Sequence, residues 1–241
     1  MSAEQFDDWA AGTTILVILA HPDDPEFFLG GAIARWTAAG HTVKYGLLTK
    51  GERGISPDFP DSQELARLRV GEQTEAAAVL GVHDITFLDY QDGYLVPSLE
   101  IRREVTRLIR SAKPDIVVSC DPQNYFIGET YLNHPDHRAA GQLVVDAIFP
   151  AVSNPSFFPE LIDEGYPATS VSELWLSLPA QANVVLDVSE FWQRRAQALL
   201  RHKSQVGDPE KFLAHLEERW LENSDSDDRY VERFRRIVFR K

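Results

Sequence analysis

Histidine and aspartate occur together in two short segments of this sequence. The first is Ala20-His21-Pro22-Asp23-Asp24, and the second is Asn133-His134-Pro135-Asp136-His137. The chain has seven histidines, and three of them lie in these two segments, each of which contains the tripeptide His-Pro-Asp. Imidazole nitrogen and carboxylate oxygen both bind Zn²⁺ in proteins. The repeated pattern therefore predicts a metal site built from two distant parts of the chain.

A catalytic zinc site uses three protein ligands and leaves one position open for water or substrate. His21 and Asp24 lie in one tight, proline-containing loop and can face the same point, and either His134 or His137 can supply the third ligand. Zinc-bound water has a pKa near 7, and a second carboxylate such as Asp23 can act as general base beside it. Alternatively, the two aspartates are turn residues or helix caps. The second His-Pro-Asp segment favours the metal site.

Apolar, β-branched runs alternate with helical patterns along the first half of the chain. Strands are predicted over residues 13–19, 43–48, 84–88 and 116–119, and helices over about 27–39, 62–80 and 98–111. This alternation is typical of right-handed crossovers and of a parallel sheet covered on both faces. The predicted fold is a Rossmann-like α/β three-layer sandwich with a mostly parallel sheet.

The pattern changes after Ala147. Residues 149–169 are rich in proline and aromatic residues, strands are predicted over 173–178 and 183–188, and helices over 191–202 and 209–223. No internal repeat or low-complexity linker interrupts the chain. We therefore predict a single domain over 1–241, with a core of about 13–150 and a C-terminal elaboration of about 151–241.

Ligands of an open parallel sheet bind beyond the carboxyl ends of its strands. His21 follows the first predicted strand, and the strand ending at Ser119 leads into a loop that is expected to reach His137. Both His-Pro-Asp segments are therefore expected at the same edge of the sheet. The pair Gly30-Gly31 lacks the G-x-G-x-x-G pattern of dinucleotide binding, so close packing explains it better.

Composition limits the partners and the compartment. With 24 basic and 37 acidic residues, the chain has a net charge of −13, which opposes binding to nucleic acid or anionic lipid. The lone Cys120 excludes an internal disulfide and a cysteine-rich zinc site. No apolar run approaches the roughly 20 residues of a membrane span, and the first residues do not resemble a signal peptide. We expect a cytoplasmic protein that binds no nucleic acid and no membrane.

Residues 20–31 (AHPDDPEFFLGG) resemble the opening motif of the PIG-L/LmbE-like de-N-acetylase family, and His134–His137 (HPDH) resembles its second motif. Segments 49–54 (TKGERG), 89–95 (DYQDGYL) and 199–205 (LLRHKSQ) are also similar to family segments. The enzymes of this family are zinc-dependent and deacetylate amino sugars, among them N-acetylglucosaminyl lipids, mycothiol and bacillithiol precursors and chito-oligosaccharides. The resemblance implies a zinc-dependent hydrolase that acts on an N-acetylated amino sugar. Relatives are often multimeric, so a homo-oligomer is compatible with it.

The same resemblance assigns roles in the reaction. It implies that His21, Asp24 and His137 are the zinc ligands and that Asp23 is the general base. It implies that His134, as an imidazolium, stabilises the oxyanion and protonates the leaving amine.

Three further residues receive supporting roles from the resemblance. Asp136 is implied to orient His134, and Arg69 and Asp92 are implied to contact the substrate. From the residues alone, Arg69 is equally well explained as a solvated helix charge, and Asp92-Gly93 is better explained as a plain turn.

The sequence disfavours two other function classes. A nucleotide-binding protein on the same sheet is disfavoured by the missing glycine pattern. A non-catalytic sugar-binding relative is disfavoured because Asp23 and His134 accompany the ligand candidates. Since the acidic surface disfavours anionic polymers and embedded lipids, a small soluble glycoside is the expected substrate.

Overall fold

The computed structural model describes residues 6–54, 62–222 and 229–239. The strands are β1 (Thr14–Leu19), β2 (Thr42–Thr49), β3 (Asp84–Tyr90), β4 (Ile116–Cys120), β5 (Phe126–Ile127), β6 (Tyr131–Leu132), β7 (Glu173–Ser177), β8 (Val184–Asp187) and β9 (Val231–Val238). The helices are α1 (Asp24–Ala38), α2 (Ser62–Leu80), α3 (Leu99–Ala112), α4 (Pro135–Asp146), α5 (Glu160–Asp163), α6 (Trp192–Leu199), α7 (Lys203–Val206) and α8 (Pro209–Glu222). Among the described residues, no helix has the length and apolar character that crossing a membrane requires.

Seven of the strands in the described ranges form one sheet, in the order β3-β2-β1-β4-β7-β9-β8. The first five are mutually parallel, and β9 runs antiparallel to both β7 and β8. The predicted α/β class with a mostly parallel sheet is confirmed. After β3 the chain crosses back over β1 to form β4, so the order reverses between β1 and β4. A crevice opens at the carboxyl ends of strands where such a reversal occurs.

Alternate residues of β1 face the two sides of the sheet. Ile15, Val17 and Leu19 pack in one core with residues of α1, α2 and α6. Leu16 and Ile18 pack in a second core with residues of α3 and α4. All five side chains are buried, which is why β1 is a continuous apolar run rather than an alternating one. The three-layer arrangement places β1 and β4 at the centre, where water is excluded from both faces.

The sequence patterns did not predict every element. Strand β9 was missed because Glu232, Arg233, Arg235 and Arg236 make it too charged to resemble a core strand, although Phe234 is fully buried. The hairpin of β5 and β6 was missed because each strand has two residues. Strands β7, β8 and β9 complete the same sheet as β1 to β4, so the C-terminal segment shares the central core.

Helix α1 has a kink that the C-terminal segment holds in place. Leu29 has φ −152° and ψ 25°, which is not helical, and the backbone groups around it need other partners. Arg195 of α6 donates through Nε and Nη2 to the carbonyls of residues 26 and 27, at 2.9 and 2.7 Å. Glu232 of β9 accepts from the N–H groups of Gly31 and residue 32, at 2.9 and 2.7 Å.

Gly30 and Gly31 are required by this packing rather than by a phosphate. A Cβ atom on Gly30 would lie 2.8 Å from Cγ of Arg195, and one on Gly31 would lie 2.7 Å from Cβ of Val188. Both glycines therefore let α1 approach α6 and the end of β8. This confirms close packing as the reason for the glycine pair.

Gly141 offers a test of how closely α4 must pack on β4. A Cβ atom at this position would overlap the backbone carbonyl oxygen of Cys120, which cannot move without breaking the sheet. We expect Gly141→Ala to lower the free energy of unfolding by about 1–3 kcal/mol, measured by urea denaturation. Gly71→Ala is the matched control, because nothing lies within 4 Å of its Cβ position in α2. It should stabilise by about 0.4–1 kcal/mol. Equal effects of the two substitutions would contradict the packing argument.

Candidate metal centre and active site

The loop between β1 and α1 supplies the first half of the site. His21 follows β1, and its backbone N–H donates to Oδ2 of Asp24 at 2.8 Å. Asp23 has φ +87°, a left-handed conformation that is uncommon for a residue with a side chain. Its backbone N–H donates to Oε1 of Gln73 at 2.7 Å, and its carbonyl accepts from the first turn of α1. Strained backbone of this kind is held by its surroundings and is common at functional sites.

The second His-Pro-Asp segment lies on a helix rather than on a loop. His134 is the N-cap of α4, and Pro135 is its first residue, so Asp136 and His137 lie in the first turn. Proline is favoured at this position because its missing N–H would have no helical partner. The sequence predicted that a loop would reach His137. This prediction is wrong, because α4 begins at Pro135 and His137 lies in its first turn. The helix fixes the positions of Asp136 and His137 more firmly than a loop would.

Three side chains converge between the two segments. Nδ1 of His21 lies 3.3 Å from Nε2 of His137 and 3.4 Å from Oδ2 of Asp24. Oδ1 of Asp24 lies 3.0 Å from Nε2 of His137. In a tetrahedral zinc site with bonds of about 2.0–2.1 Å, neighbouring ligand atoms lie about 3.3 Å apart. The nitrogen and oxygen atoms of these three residues therefore fit a small divalent metal ion.

His134 could replace Asp24 as the third metal ligand beside His21 and His137. Ring nitrogens of His21, His134 and His137 all lie within 4.8 Å of one another. In the set with Asp24 the separations are 3.0–3.4 Å, with Oδ2 of Asp24 toward His21 and Oδ1 toward His137. Asp24 also brings a negative charge, which supports it as a ligand candidate beside His134.

The far nitrogen of His21 is held by two further carboxylates. Nε2 lies 3.0 Å from Oδ1 of Asp92 and 3.3 Å from Oδ2 of Asp136. Burial opposes the charged form of His21, but the carboxylates of Asp24, Asp136 and Asp92 outweigh it and raise the pKa of His21 well above its ordinary value. The same negative potential favours a bound cation. On the other side of the centre, Nδ1 of His137 is 3.0 Å from Oδ1 of Asn133.

The surroundings of Asp23 and Asp24 shift the pKa values of these neighbouring residues in opposite directions. Burial opposes ionisation of Asp24, but the imidazoles of His137 and His21 hold its pKa well below the usual range. Burial raises the pKa of Asp23 to about 6, while the guanidinium of Arg69 lowers it in part. Nη2 of Arg69 donates to Oδ2 of Asp23 at 3.0 Å. One carboxylate of the pair is suited to bind a cation and the other to exchange a proton.

His134 is half-buried beside the cluster. Its ring centroid lies 4.8 Å from that of His21 and 5.3 Å from that of His137. Nδ1 accepts from the backbone N–H of Asp136 at 3.2 Å, which caps α4. Burial and the neighbouring imidazoles of His21 and His137 lower the pKa of His134.

Asp136 does not have the contacts that the family resemblance implies. Its carboxylate accepts from the N–H groups of Gly93 and Leu95, at 2.7 and 3.2 Å, and lies against His21. Within the described ranges, no hydrogen bond joins this carboxylate to the ring of His134. The first turn of the helix directs the Asp136 carboxylate into the fold, so Asp136 positions His21 and the 93–95 backbone instead.

The two predicted substrate-binding residues are engaged inside the protein. Asp92 is buried, with Oδ1 on His21 and Oδ2 accepting from the backbone N–H of Arg53 at 3.0 Å. Arg69 is also buried and donates to the carbonyls of Gly51 and Pro22, both at 2.7 Å, as well as to Asp23. Arg69 is therefore not a solvated helix charge. The structure places Asp92 in contact with His21 and Arg69 in contact with Asp23.

A buried hydrogen-bond network lies behind Asp23 and was not predicted from the sequence. Nε2 of Gln73 donates to both carboxylate oxygens of Glu26, at 3.0 and 3.1 Å, and Nε2 of His202 lies 3.1 Å from Oε2 of Glu26. Glu26, Gln73 and His202 are all fully buried. Gln73 lies one helical turn after Arg69, so this spacing was a usable signal for their shared face. No pattern among the residues near His202 in the sequence indicated that it would contact Glu26.

Several known proteins are similar to this chain in sequence and in structure. The family model described as PIG-L, GlcNAc-PI de-N-acetylase, matches residues 16–148. Diacetylchitobiose deacetylase of Thermococcus kodakarensis is 34% identical over 79% of this chain and 69% of its own length. A probable N-acetyl-alpha-D-glucosaminyl L-malate deacetylase 2 of Bacillus anthracis is 28% identical over 79% of this chain and 80% of its own. The structure of N,N'-diacetylchitobiose deacetylase from Pyrococcus horikoshii is 31% identical and superposes with a TM-score of 0.84, covering 94% of this chain and 84% of that one.

The geometry predicts which histidine the metal ion needs. We expect the protein to bind one divalent ion per chain and His137→Ala to lose most of it, because Nε2 of His137 lies within 3.0–3.3 Å of both other ligand candidates. His134→Ala is the matched control from the same helix terminus and should retain the ion. Elemental analysis after dialysis provides the measurement. Metal retained by His137→Ala but lost by His134→Ala would reverse the assignment.

Proposed function

Because the chain belongs to the PIG-L family, we propose that it is a zinc-dependent hydrolase that removes the acetyl group from an N-acetylated amino sugar. The observation that carries the proposal is the cluster of His21, Asp24 and His137 with Asp23 beside it. The relatives named as deacetylases of diacetylchitobiose and of a glucosaminyl malate support an N-acetylglucosaminyl substrate. The net charge of −13 favours a small glycoside over an anionic polymer.

We assign the zinc ion to Nδ1 of His21, the carboxylate of Asp24 and Nε2 of His137. When bound, zinc polarises the amide carbonyl and lowers the pKa of a water molecule to about 7. The opposite nitrogens of both histidines are already engaged by carboxylates and by Asn133, which fixes the orientation of the rings. Partners of this kind are typical of metal-ligating histidines.

Asp23 is the proposed general base. With a pKa of about 6, its carboxylate is mostly ionised near neutral pH and still basic enough to accept a proton from the attacking water. Arg69 and the hydrogen bond from the Asp23 backbone to Gln73 hold this residue in its strained conformation. The base is therefore fixed in place before the substrate binds.

His134 is the proposed acid and oxyanion partner. Attack of water on the acetamide carbon places negative charge on the carbonyl oxygen, and cleavage of the C–N bond requires a proton on the departing nitrogen. Burial and the imidazoles of His21 and His137 lower the pKa of His134, so its protonated ring is a stronger acid than free imidazole but is less populated near neutral pH. Protonation of Nδ1 replaces its hydrogen bond from the Asp136 N–H. The products are acetate and the free amine.

The two alternative functions receive less support. A phosphate group at the end of β1 would meet the carboxylates of Asp23 and Asp24 instead of free backbone N–H groups. A binding protein without turnover would have no need for Asp23, with its raised pKa, next to the three ligand candidates.

Acetate release tests the proposed reaction. The zinc-loaded protein should release acetate and free amine in equal amounts from methyl 2-acetamido-2-deoxyglucoside or diacetylchitobiose. Asp23→Asn should lower kcat by at least about 10², the usual contribution of a general base, with zinc content unchanged. Full activity in Asp23→Asn would eliminate Asp23 as the base. Absence of acetate from all N-acetylglucosaminides tested would overturn the proposed function.

The contact between Arg69 and Asp23 predicts a shift in the pH profile. Asp23 must be ionised to act, so kcat/KM rises with pH through the pKa of Asp23. The charge of Arg69 lowers that pKa, so Arg69→Met should move the acidic limb to higher pH. Arg69→Lys retains the charge and should restore part of the shift.

Arg67→Met is the matched control for this experiment, since Arg67 lies on the same helix but is exposed. Its profile should match that of the wild-type protein. An acidic limb that stays in place in Arg69→Met would show that Arg69 does not act through Asp23.

A further inference from the structure

A cavity of about 500 Å³ opens directly beside the metal centre. His134 and His137 line one end, and half-buried Phe27 and Phe28 of α1 continue the wall. The ring of Phe28 packs edge-on against His137, with centroids 5.0 Å apart. The cavity is thus continuous with the site at which the acetamide is proposed to react.

The far end of the cavity is also mostly apolar. Leu178, which follows β7, and Phe212 and Leu216 of α8 lie in this wall together with the polar side chains of Tyr131 and His215. The rings of Phe27 and Phe212 meet edge-on at 5.9 Å. Leu178 has φ +48°, a conformation that is unusual for a branched side chain. Such strain is kept where the surroundings require it and is common at ligand sites.

Two polar residues of the cavity wall, Asn133 and Arg195, hold other parts of the protein in place. Nδ2 of Asn133 donates to the carbonyl of Asn124 at 2.8 Å, and its Oδ1 lies against His137. Arg195 uses Nε and Nη2 to hold the kink of α1. A hydroxyl placed against the phenylalanine and leucine side chains of this wall loses its hydrogen bonds to water, whereas an alkyl or aryl group gains from leaving water.

We infer that this cavity binds an apolar group of the substrate, an alkyl or aryl chain of several carbons attached to the amino sugar. The inference rests on the proposed function and specifies an amphiphilic substrate, with the apolar chain attached either to the sugar or through the acyl group. A cavity of about 150 Å³ is sufficient for benzene, so the available volume accommodates a phenyl ring or a chain of six to eight carbons. Since the cavity begins at His134 and His137, the chain is carried either on the glycosidic oxygen or on the amide carbonyl.

Two substrate series distinguish these attachments. The first contains the methyl, butyl and octyl glycosides of N-acetylglucosamine, and the second contains glucosamine with acetyl, butanoyl and octanoyl groups on nitrogen. Each buried methylene is expected to raise kcat/KM about three- to fourfold, so the longest member of one series should exceed the shortest by at least about tenfold. A rise confined to the glycosides places the chain on the glycosidic oxygen, and a rise confined to the amides places it on the acyl group.

Variants connect the effect to the cavity. Leu216→Gln or, as a second variant, Phe212→Gln should reduce the ratio of kcat/KM between the longest and shortest members toward one. Leu99→Gln is the matched control, because Leu99 is 72% exposed at the start of α3 and does not line the cavity. It should keep the wild-type ratio.

The outcomes separate this inference from the proposed function. Turnover of the methyl glycoside without any dependence on chain length in either series would overturn the apolar site and leave the deacetylase intact. Dependence that persists unchanged in both Leu216→Gln and Phe212→Gln would also overturn it. No turnover of any N-acylated sugar would instead contradict the proposed function itself.

Discussion

The carboxylate of Asp24 lies between two imidazoles, and the rest of the centre depends on this contact. Its oxygens lie 3.4 Å from His21 and 3.0 Å from His137, two residues that are far apart in the chain. They meet because β1 and β4 are neighbours at the point where the strand order reverses. The crossover of the chain at this point opens the crevice, and the buried strands on both sides keep the positions of the three side chains fixed.

Several buried carboxylates lie beneath this edge of the sheet, and neighbouring residues compensate their negative charge. Buried carboxylates without partners are strongly destabilising, so each must be matched by a cation or by several hydrogen bonds. Arg69 matches Asp23, and a buried His202 matches Glu26, whose carboxylate raises the pKa of His202 against the effect of burial. The cluster around His21 still has more acidic than basic groups, which favours a divalent cation there.

The C-terminal segment contributes more to the site than an appendage would. Arg195 and Glu232 satisfy the backbone groups at the kink in α1, and this kink directs Phe27 and Phe28 toward the cavity. Helix α8 then forms the far wall. The first half of the chain carries the residues of the candidate centre, and the second half shapes the cavity next to them.

Local patterns in the sequence predicted strands β1 to β4 and helices α1 to α3, and they singled out the histidines and aspartates that the fold brings together. Apolar runs, helical periodicity and the two His-Pro-Asp segments are properties of a few consecutive residues, so they can be recognised without knowledge of the fold. The strand over Val231–Val238 was not predictable in this way, because its charged residues acquire partners only when it lies beside β7 and β8. The contact of Asp136 with His21 depends on where α4 begins, and the contact of His202 with Glu26 joins residues 176 positions apart. Such contacts are decided by tertiary packing, since the energy of a buried polar group depends on the partner that the fold brings to it.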